Sequence, residues 1–192
     1  METESAMEWQ AASGGGQSYP EDSLGEGRMI AEGNEHRIFQ TEDGRRAIKL
    51  TRPPNYGARG GLAEYLDNLV LNNYLWGDDL KVEGVKPTPE GLQLVISQPW
   101  IAGTPAPYGE IREQMLGRGF TELKAEHFHD AQSGISVMDV RTANIFRDAA
   151  SGLLVPIDVH ISTPEALLAL AWEEQRRREK SWATTCDDMN TL

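Results

Sequence analysis

Cysteine is almost missing from this chain: Cys186 stands alone among 192 residues. An internal disulfide is therefore excluded, and a reducing, cytoplasmic setting is expected. Positive charge is scarce as well, with 18 Lys and Arg against 30 Asp and Glu and a formal net charge of −12. That balance argues against a nucleic-acid backbone or an anionic membrane as the main partner, because both are polyanions. It leaves room for a nucleotide, since a metal and one or two cationic side chains set the local field. No apolar run approaches the roughly 20 residues of a membrane span. Met1-Glu2-Thr3-Glu4 lacks a basic region and no apolar run follows it, so no secretory signal is expected. Internal repeats are missing too.

What is present is ordinary for a globular protein: 39% hydrophobic and 25% charged residues, enough for one domain with a core or a small two-lobed one. Residues 1–24 contain Gly14-Gly15-Gly16, serines and acids without periodicity, and are expected to form a flexible leader in which only Trp9 has reason to dock. Residues 29–50 carry a β-hairpin pattern. His36-Arg37-Ile38-Phe39-Gln40 pairs with Arg46-Ala47-Ile48-Lys49-Leu50 across a turn containing Asp43-Gly44. Lys49 lies on the second strand, with Ala47 on the same side.

Gly61 to Trp76 is the clearest helix, with Leu62, Tyr65, Leu66, Leu69, Val70 and Asn73 at i, i+3, i+4, i+7 spacing. Residues 80–85 and 92–96 read as two strands around Pro87-Thr88-Pro89-Glu90-Gly91. An extended linker over 98–103 and a helix over 108–116 follow. Residues 120–131 fit either a helix or a hairpin, and the hairpin is preferred. Two histidines there, His127 and His129, share a strand face and are able to bind a metal, but without a third soft ligand they are read as packing residues. Thr163 and Pro164 open a last helix. Its apolar face is Ala166, Leu167, Leu170 and Ala171, and beyond Trp172 it becomes a solvated helix with Glu173–Arg177 and Glu174–Arg178 pairs.

The chemistry concentrates in residues 134–160. Ile135 and Val137 alternate with Ser136 and lead to Asp139, as a short strand delivering a carboxylate to its end. Asn144 opens a second strand, Asp148-Ala149-Ala150-Ser151-Gly152 has turn composition, and the apolar run from Leu153 to Ile157 ends on Asp158. Two acids and an amide delivered to one end of a hairpin are oxygen ligands of the kind Mg²⁺ takes together with phosphate oxygens. The alternative is a hairpin whose polar residues merely sit at its ends.

The order of these elements resembles the protein-kinase-like fold. Ala47-Ile48-Lys49 is similar to the A-x-K of the third strand, Asp139-x-x-x-x-Asn144 to the catalytic loop, and Asp158 to the metal-binding acid of D-F-G. Gly33-Asn34-Glu35-His36-Arg37-Ile38, Lys49-Leu50-Thr51-Arg52-Pro53, Tyr65-Leu66-x-x-Leu69, Gln98-Pro99-Trp100-Ile101-x-Gly103, Gly119-Phe120 and Pro156-Ile157-Asp158 narrow the resemblance. They are similar to the compact kinase domain of bacterial and phage polyvalent proteins, multi-domain proteins of mobile elements. The chain departs from the pattern in Val137-Met138 before Asp139, in Val159-His160 after Asp158, and in a phosphate-covering loop with the single glycine Gly33. Little chain follows Asp158, so large peptide-docking helices are not expected.

The resemblance implies an α+β, minimal bilobal kinase-like fold. Residues 25–101 would form an N-lobe of antiparallel sheet and helix, 102–181 a reduced C-lobe, and 182–192 a tail. It also implies ATP and Mg²⁺ as cofactors and a γ-phosphate transfer to the hydroxyl of an unidentified protein or small molecule, with neither nucleic acid nor membrane as partner. Asp139 would act on the acceptor hydroxyl, and Asn144 and Asp158 would hold the metal. Arg141 would bind the γ-phosphate or form a salt bridge to Asp139. Lys49 would bridge the α- and β-phosphates and pair with Glu64 or, failing that, Asp67. Gly33 would cover the phosphates. Ile38, Ala47, Phe146 and Ile157 would wall the adenine, with the Gln98 carbonyl and the Trp100 amide at its edge; these four apolar residues would serve core packing in any case. His160 lies beside Asp158 without a role that can be named. A non-catalytic nucleotide-binding module that regulates a partner is the alternative function.

Overall fold

The Asp43-Gly44 turn shows why the first hairpin forms. Gly44 takes φ 68° and its N–H donates to the Thr41 carbonyl at 2.9 Å. The Asp43 carboxylate accepts from the Thr41 hydroxyl at 2.7 Å and from the Arg45 amide at 3.0 Å. Glycine reaches that left-handed conformation without steric cost, and the Asp side chain closes the turn. The strands on either side are β2 (His36–Gln40) and β3 (Arg46–Thr51).

This computed structural model describes residues 28–57 and 60–189, with side chains described as far as Glu179. The leader expected over 1–24, Trp9 within it and the last three residues lie outside the described residues. The chain clusters into two compact units. One holds the residues up to Tyr74, Asp78–Trp100 and the chain from Trp172; the other holds Leu75–Gly77 and Ile101–Ala171.

The first unit is a five-stranded antiparallel sheet in the order β1-β2-β3-β5-β4. Its remaining strands are β1 (Arg28–Glu32), β4 (Lys81–Thr88) and β5 (Gly91–Pro99). Pro87, expected to interrupt the chain, is tolerated because β4 is an edge strand and a missing N–H there costs little. Helix α1 (Gly61–Trp76) buries Leu62, Tyr65, Leu66, Leu69, Val70 and Asn73, the stripe expected from its spacing, together with Leu71 and Asn72. It joins the sheet through polar contacts as well. The buried His36 Nε2 lies 3.0 Å from the Tyr65 hydroxyl. Asn73 clasps Leu80, donating to its carbonyl at 2.9 Å and accepting from its amide at 2.7 Å.

In the second unit, β6 (Gly103–Pro105), β10 (Ile145–Asp148) and β11 (Leu154–Pro156) form a three-stranded sheet in the order β11-β10-β6. The strands β7 (Thr121–Lys124), β8 (His127–Asp130), β9 (Ile135–Met138) and β12 (His160–Ser162) form a four-stranded one in the order β12-β9-β8-β7. The preferred hairpin over 120–131 is therefore present, with the fully buried Phe128 at its centre. Gly103 has no alternative: a Cβ there would stand 1.9 Å from the Arg147 carbonyl oxygen. Helix α2 (Tyr108–Gly117) completes this unit.

The last helix, α3 (Glu165–Met189), departs from its expected pattern. Leu170 is 53% exposed, and the buried positions are Ala171 and Gln175. From Trp172 on, this helix belongs with the first unit, where the sequence reading kept 102–181 together as one lobe and began a tail at 182. The physical reason is polar. Trp172 Nε1 donates to Asp67 at 2.7 Å, and the buried Asn73 amide donates to Gln175 at 3.0 Å, so a turn that reads as solvated is anchored on α1. The expected Glu173–Arg177 and Glu174–Arg178 pairs do form, at 2.5 and 3.3 Å. Among the described residues, no helix is long and apolar enough to cross a membrane.

Candidate active site

Strand pairing in the second unit sets where the acids fall. Met138 at the end of β9 stands opposite His160 at the start of β12. Asp139 and Asp158 therefore leave that ladder at the same end. In the neighbouring sheet Ile145 stands opposite Pro156, and one step further the Ile157 amide donates to the Asn144 carbonyl at 2.8 Å. Asp158 comes next in the chain. Asp139, Asn144 and Asp158 thus all lie where the strands of these two ladders end.

Asn144 is buried, whereas Asp139 and Asp158 are exposed. The Asn144 side-chain nitrogen donates to the Asp139 carbonyl at 2.9 Å and to Asp139 Oδ2 at 2.8 Å. With both contacts made to acceptors, the amide orientation is determined and Oδ1 is turned away as an acceptor. Asp139 itself has φ 59°, a left-handed conformation that costs a non-glycine residue on the order of 1 kcal/mol or more and is tolerated where surroundings enforce it. Arg141 Nη2 lies 3.1 Å from the same Asp139 Oδ2, with the two side chains 50% and 45% exposed. The salt bridge expected as one of two roles for Arg141 therefore forms, but at that exposure it is worth about 0–1 kcal/mol and is easily exchanged for another anion. Among the described residues nothing donates to Asp139 Oδ1.

Metal fit follows from the donor set. Among the described residues there is no group of three or more His, Cys, Asp and Glu able to hold a metal alone. One carboxylate, Asp158, and one amide oxygen, that of Asn144, suit a hard cation completed by phosphate oxygens and water, which is the Mg²⁺ habit rather than that of zinc. His127 and His129 supply no such site. His129 Nδ1 lies 3.0 Å from Ser136 Oγ across the β8–β9 ladder, and His127 Nε2 is buried without a hydrogen-bond partner among the described residues. His160 pairs with Met138 in β12.

In the first unit, Ile38 stands opposite Lys49 and Gln98 opposite Ala47. Opposed residues and alternate residues share a face, so all four lie on one side of the sheet. Lys49 is buried there. Asp67, the second choice as its partner, is occupied by the Trp172 indole. Glu64, the first choice, accepts from the Gly60 amide at the start of its own helix through Oε2. Another acid, which the sequence does not single out, also feels the Lys49 charge. Burial pushes the Asp78 carboxyl up to about 7, against the opposing pull of the Lys49 charge. Nothing in the sequence marks Asp78; only the short connection from α1 into β4 brings it near the third strand.

The adenine edge needs correction at Trp100. Its amide donates to the Arg45 carbonyl at 2.8 Å, continuing the β3–β5 ladder one step past Pro99. Hydrogen-bonded pairs alternate along an antiparallel ladder, so Gln98, two residues back, also directs its backbone groups into the sheet. The carbonyl on the opposite edge is that of Pro99. Gly33 sits in an exposed turn where an added Cβ would meet only the His36 carbonyl oxygen, at 4.0 Å, so packing does not require glycine there. In the second unit Phe146 stands opposite Val155, and Ile157 follows β11 in a bend.

A family model described as Serine/Threonine/Tyrosine Kinase found in polyvalent proteins matches residues 2–164. Comparison with curated proteins and with solved structures returns no match.

Proposed function

The chain belongs to the serine/threonine/tyrosine kinases found in polyvalent proteins, and on that premise we propose that it is a minimal ATP- and Mg²⁺-dependent phosphotransferase acting on a side-chain hydroxyl. The observation that carries this reading is the double hydrogen bond from Asn144 to Asp139, at 2.9 and 2.8 Å, at the strand ends where Asp158 also emerges. Phosphoryl transfer asks a protein chiefly for alignment and charge compensation, and this arrangement supports both.

Asp139, held through Oδ2, keeps Oδ1 for the acceptor hydroxyl. As the acceptor oxygen bonds to the γ-phosphorus, the bond from that phosphorus to the β–γ bridging oxygen breaks, ADP departs, and the hydroxyl proton passes to Asp139. Asn144 Oδ1 and Asp158 would hold Mg²⁺, which when bound compensates charge on the phosphates. Arg141 would exchange its weak bridge to Asp139 for the γ-phosphate. Lys49 is assigned to the α- and β-phosphates and Gly33 to covering them. In the first unit Ile38, Ala47 and the Pro99 carbonyl would offer contacts to an adenine; in the second unit, taken by itself, Phe146 and Ile157 are apolar residues of the same kind.

The test is incubation with γ-labelled ATP, with and without Mg²⁺, scoring hydrolysis, autophosphorylation and transfer to added protein. Mg²⁺-dependent movement of label off ATP is expected. Nucleotide binding with no movement of label under any condition would transfer the assignment to a non-catalytic nucleotide-binding module.

A further inference from the structure

The two residues before Asp139, Val137 and Met138, carry no group able to hold a strained loop by hydrogen bonding, and Val137 is buried in the core. The anchor comes from another part of the second unit. The Val140 amide, immediately after Asp139, donates to the Glu126 carbonyl at 3.1 Å. Glu126 occupies the turn between β7 and β8 and, like Asp139, is left-handed, with φ 65°. One hydrogen bond therefore couples two left-handed residues, neither of them glycine. The Glu126 amide in turn donates to the Tyr108 hydroxyl at 2.9 Å. That hydroxyl donates to Glu122 Oε1 at 2.5 Å, and Arg112, one turn further along α2, donates from Nε to Glu122 Oε2 at 2.6 Å.

We propose that Tyr108 is a positioning residue for the phosphotransfer loop, acting through the Glu126 turn and the Val140 amide to hold Asp139 in its left-handed conformation. The hydroxyl is used in both directions, accepting from the backbone and donating to a carboxylate that is itself fixed by a guanidinium. The Glu122 carboxyl is held below the usual range by the Tyr108 hydroxyl and then by Arg112, so it stays an ionised acceptor throughout the neutral range. Each link is a short, directional contact within one unit. Together they support the loop from outside, in addition to the bonds that Asn144 makes to Asp139 within it.

The inference rests on the assignment of Asp139 to the acceptor hydroxyl, and its test has an arm independent of that assignment. In the full chain, Tyr108→Phe keeps the ring and removes only the hydroxyl. Amide hydrogen exchange at Val140 is expected to accelerate at least several-fold, with little change in the melting temperature, because the orphaned Glu126 amide lies at an exposed turn open to water. The transfer kcat is expected to fall about 5- to 10-fold with KM for ATP unchanged, the pattern of a group that matters in the transition state alone. In the Asp139→Asn background, Tyr108→Phe should have no further effect on rate. Unchanged exchange at Val140, or an equal slowing in the Asp139→Asn background, overturns the proposal. If Tyr108→Phe fails to fold, Glu122→Gln serves in its place: it weakens the same chain while keeping an acceptor, and should accelerate Val140 exchange to a smaller degree. A wild-type chain without transfer sinks the kinase assignment and the positioning role with it, while exchange at Val140 still decides whether the hydrogen-bond chain holds the loop.

Discussion

Asn144 holds Asp139 twice with one nitrogen, at its carbonyl and at Oδ2, 2.9 and 2.8 Å away. The first bond restrains the backbone of a left-handed acid, and the second selects which carboxylate oxygen stays open. Asn144→Ala should therefore do two things at once. It should cost stability on the order of 1–3 kcal/mol, since a buried polar contact is lost, and it should reduce phosphotransfer to background. Denaturant unfolding alongside a transfer assay checks both. Full stability with normal transfer would remove Asn144 from the site.

Nucleotide with metal should raise the melting temperature, because a ligand that binds only the native state stabilises it by mass action, by about 2.7 kcal/mol at a hundred times its dissociation constant. Thermal unfolding in ATP, with and without Mg²⁺, measures this. Chelation with EDTA should reverse the metal-dependent part of the shift.

Asp78 predicts an unusual pH profile. Its folded pKa, about 7, lies above the ordinary value of 3.8. The folded state thus binds the proton more tightly, and stability falls as pH rises through that window. The effect is on the order of a few kcal/mol between pH 4 and 7. Asp78→Asn should flatten this decline. A wild type and an Asp78→Asn variant with parallel stability curves over that range would contradict the account.

Trp172→Phe tests the anchoring of α3 on α1. Burial raises the Asp67 carboxyl, and the Trp172 hydrogen bond opposes that rise. Removing the donor while keeping an aromatic ring should destabilise by about 1–3 kcal/mol. The loss should be smaller at acid pH, where Asp67 is protonated. Equal losses at pH 4 and pH 7 would show that only packing was changed.

The parts of this protein that announce themselves in sequence are those written in local periodicity and turn chemistry. The Leu62–Val70 stripe of α1, the Asp43-Gly44 hairpin and the acid-bearing hairpin after Gly134 all belong to this group. Contacts that depend on side chains far apart along the chain were not legible. Trp172 and Asp67 lie 105 residues apart, and the helix turn they anchor reads as solvated from its composition alone. The Trp100 amide was misread by one residue of strand parity, because a ladder's end cannot be located from propensity. Asp78 reads as a loop acid until the sheet brings Lys49 near it. Tyr108 and Arg112 do carry a local signal, an i, i+4 pair on one helix, but nothing in the sequence links them to Glu122 or to the loop of Asp139.

The central claim is that Asp139 acts on the acceptor and Asp158 on the metal-bound nucleotide. It is tested most directly by measuring Mg²⁺-dependent ATP affinity and the transfer rate side by side in Asp139→Asn and Asp158→Asn. The account predicts that Asp139→Asn keeps most of its nucleotide affinity while transfer falls about 10²- to 10⁴-fold, the usual contribution of a general base. Asp158→Asn should weaken Mg²⁺-dependent binding and abolish transfer. Normal transfer by Asp139→Asn, or unaltered Mg²⁺-dependent binding by Asp158→Asn, would contradict it.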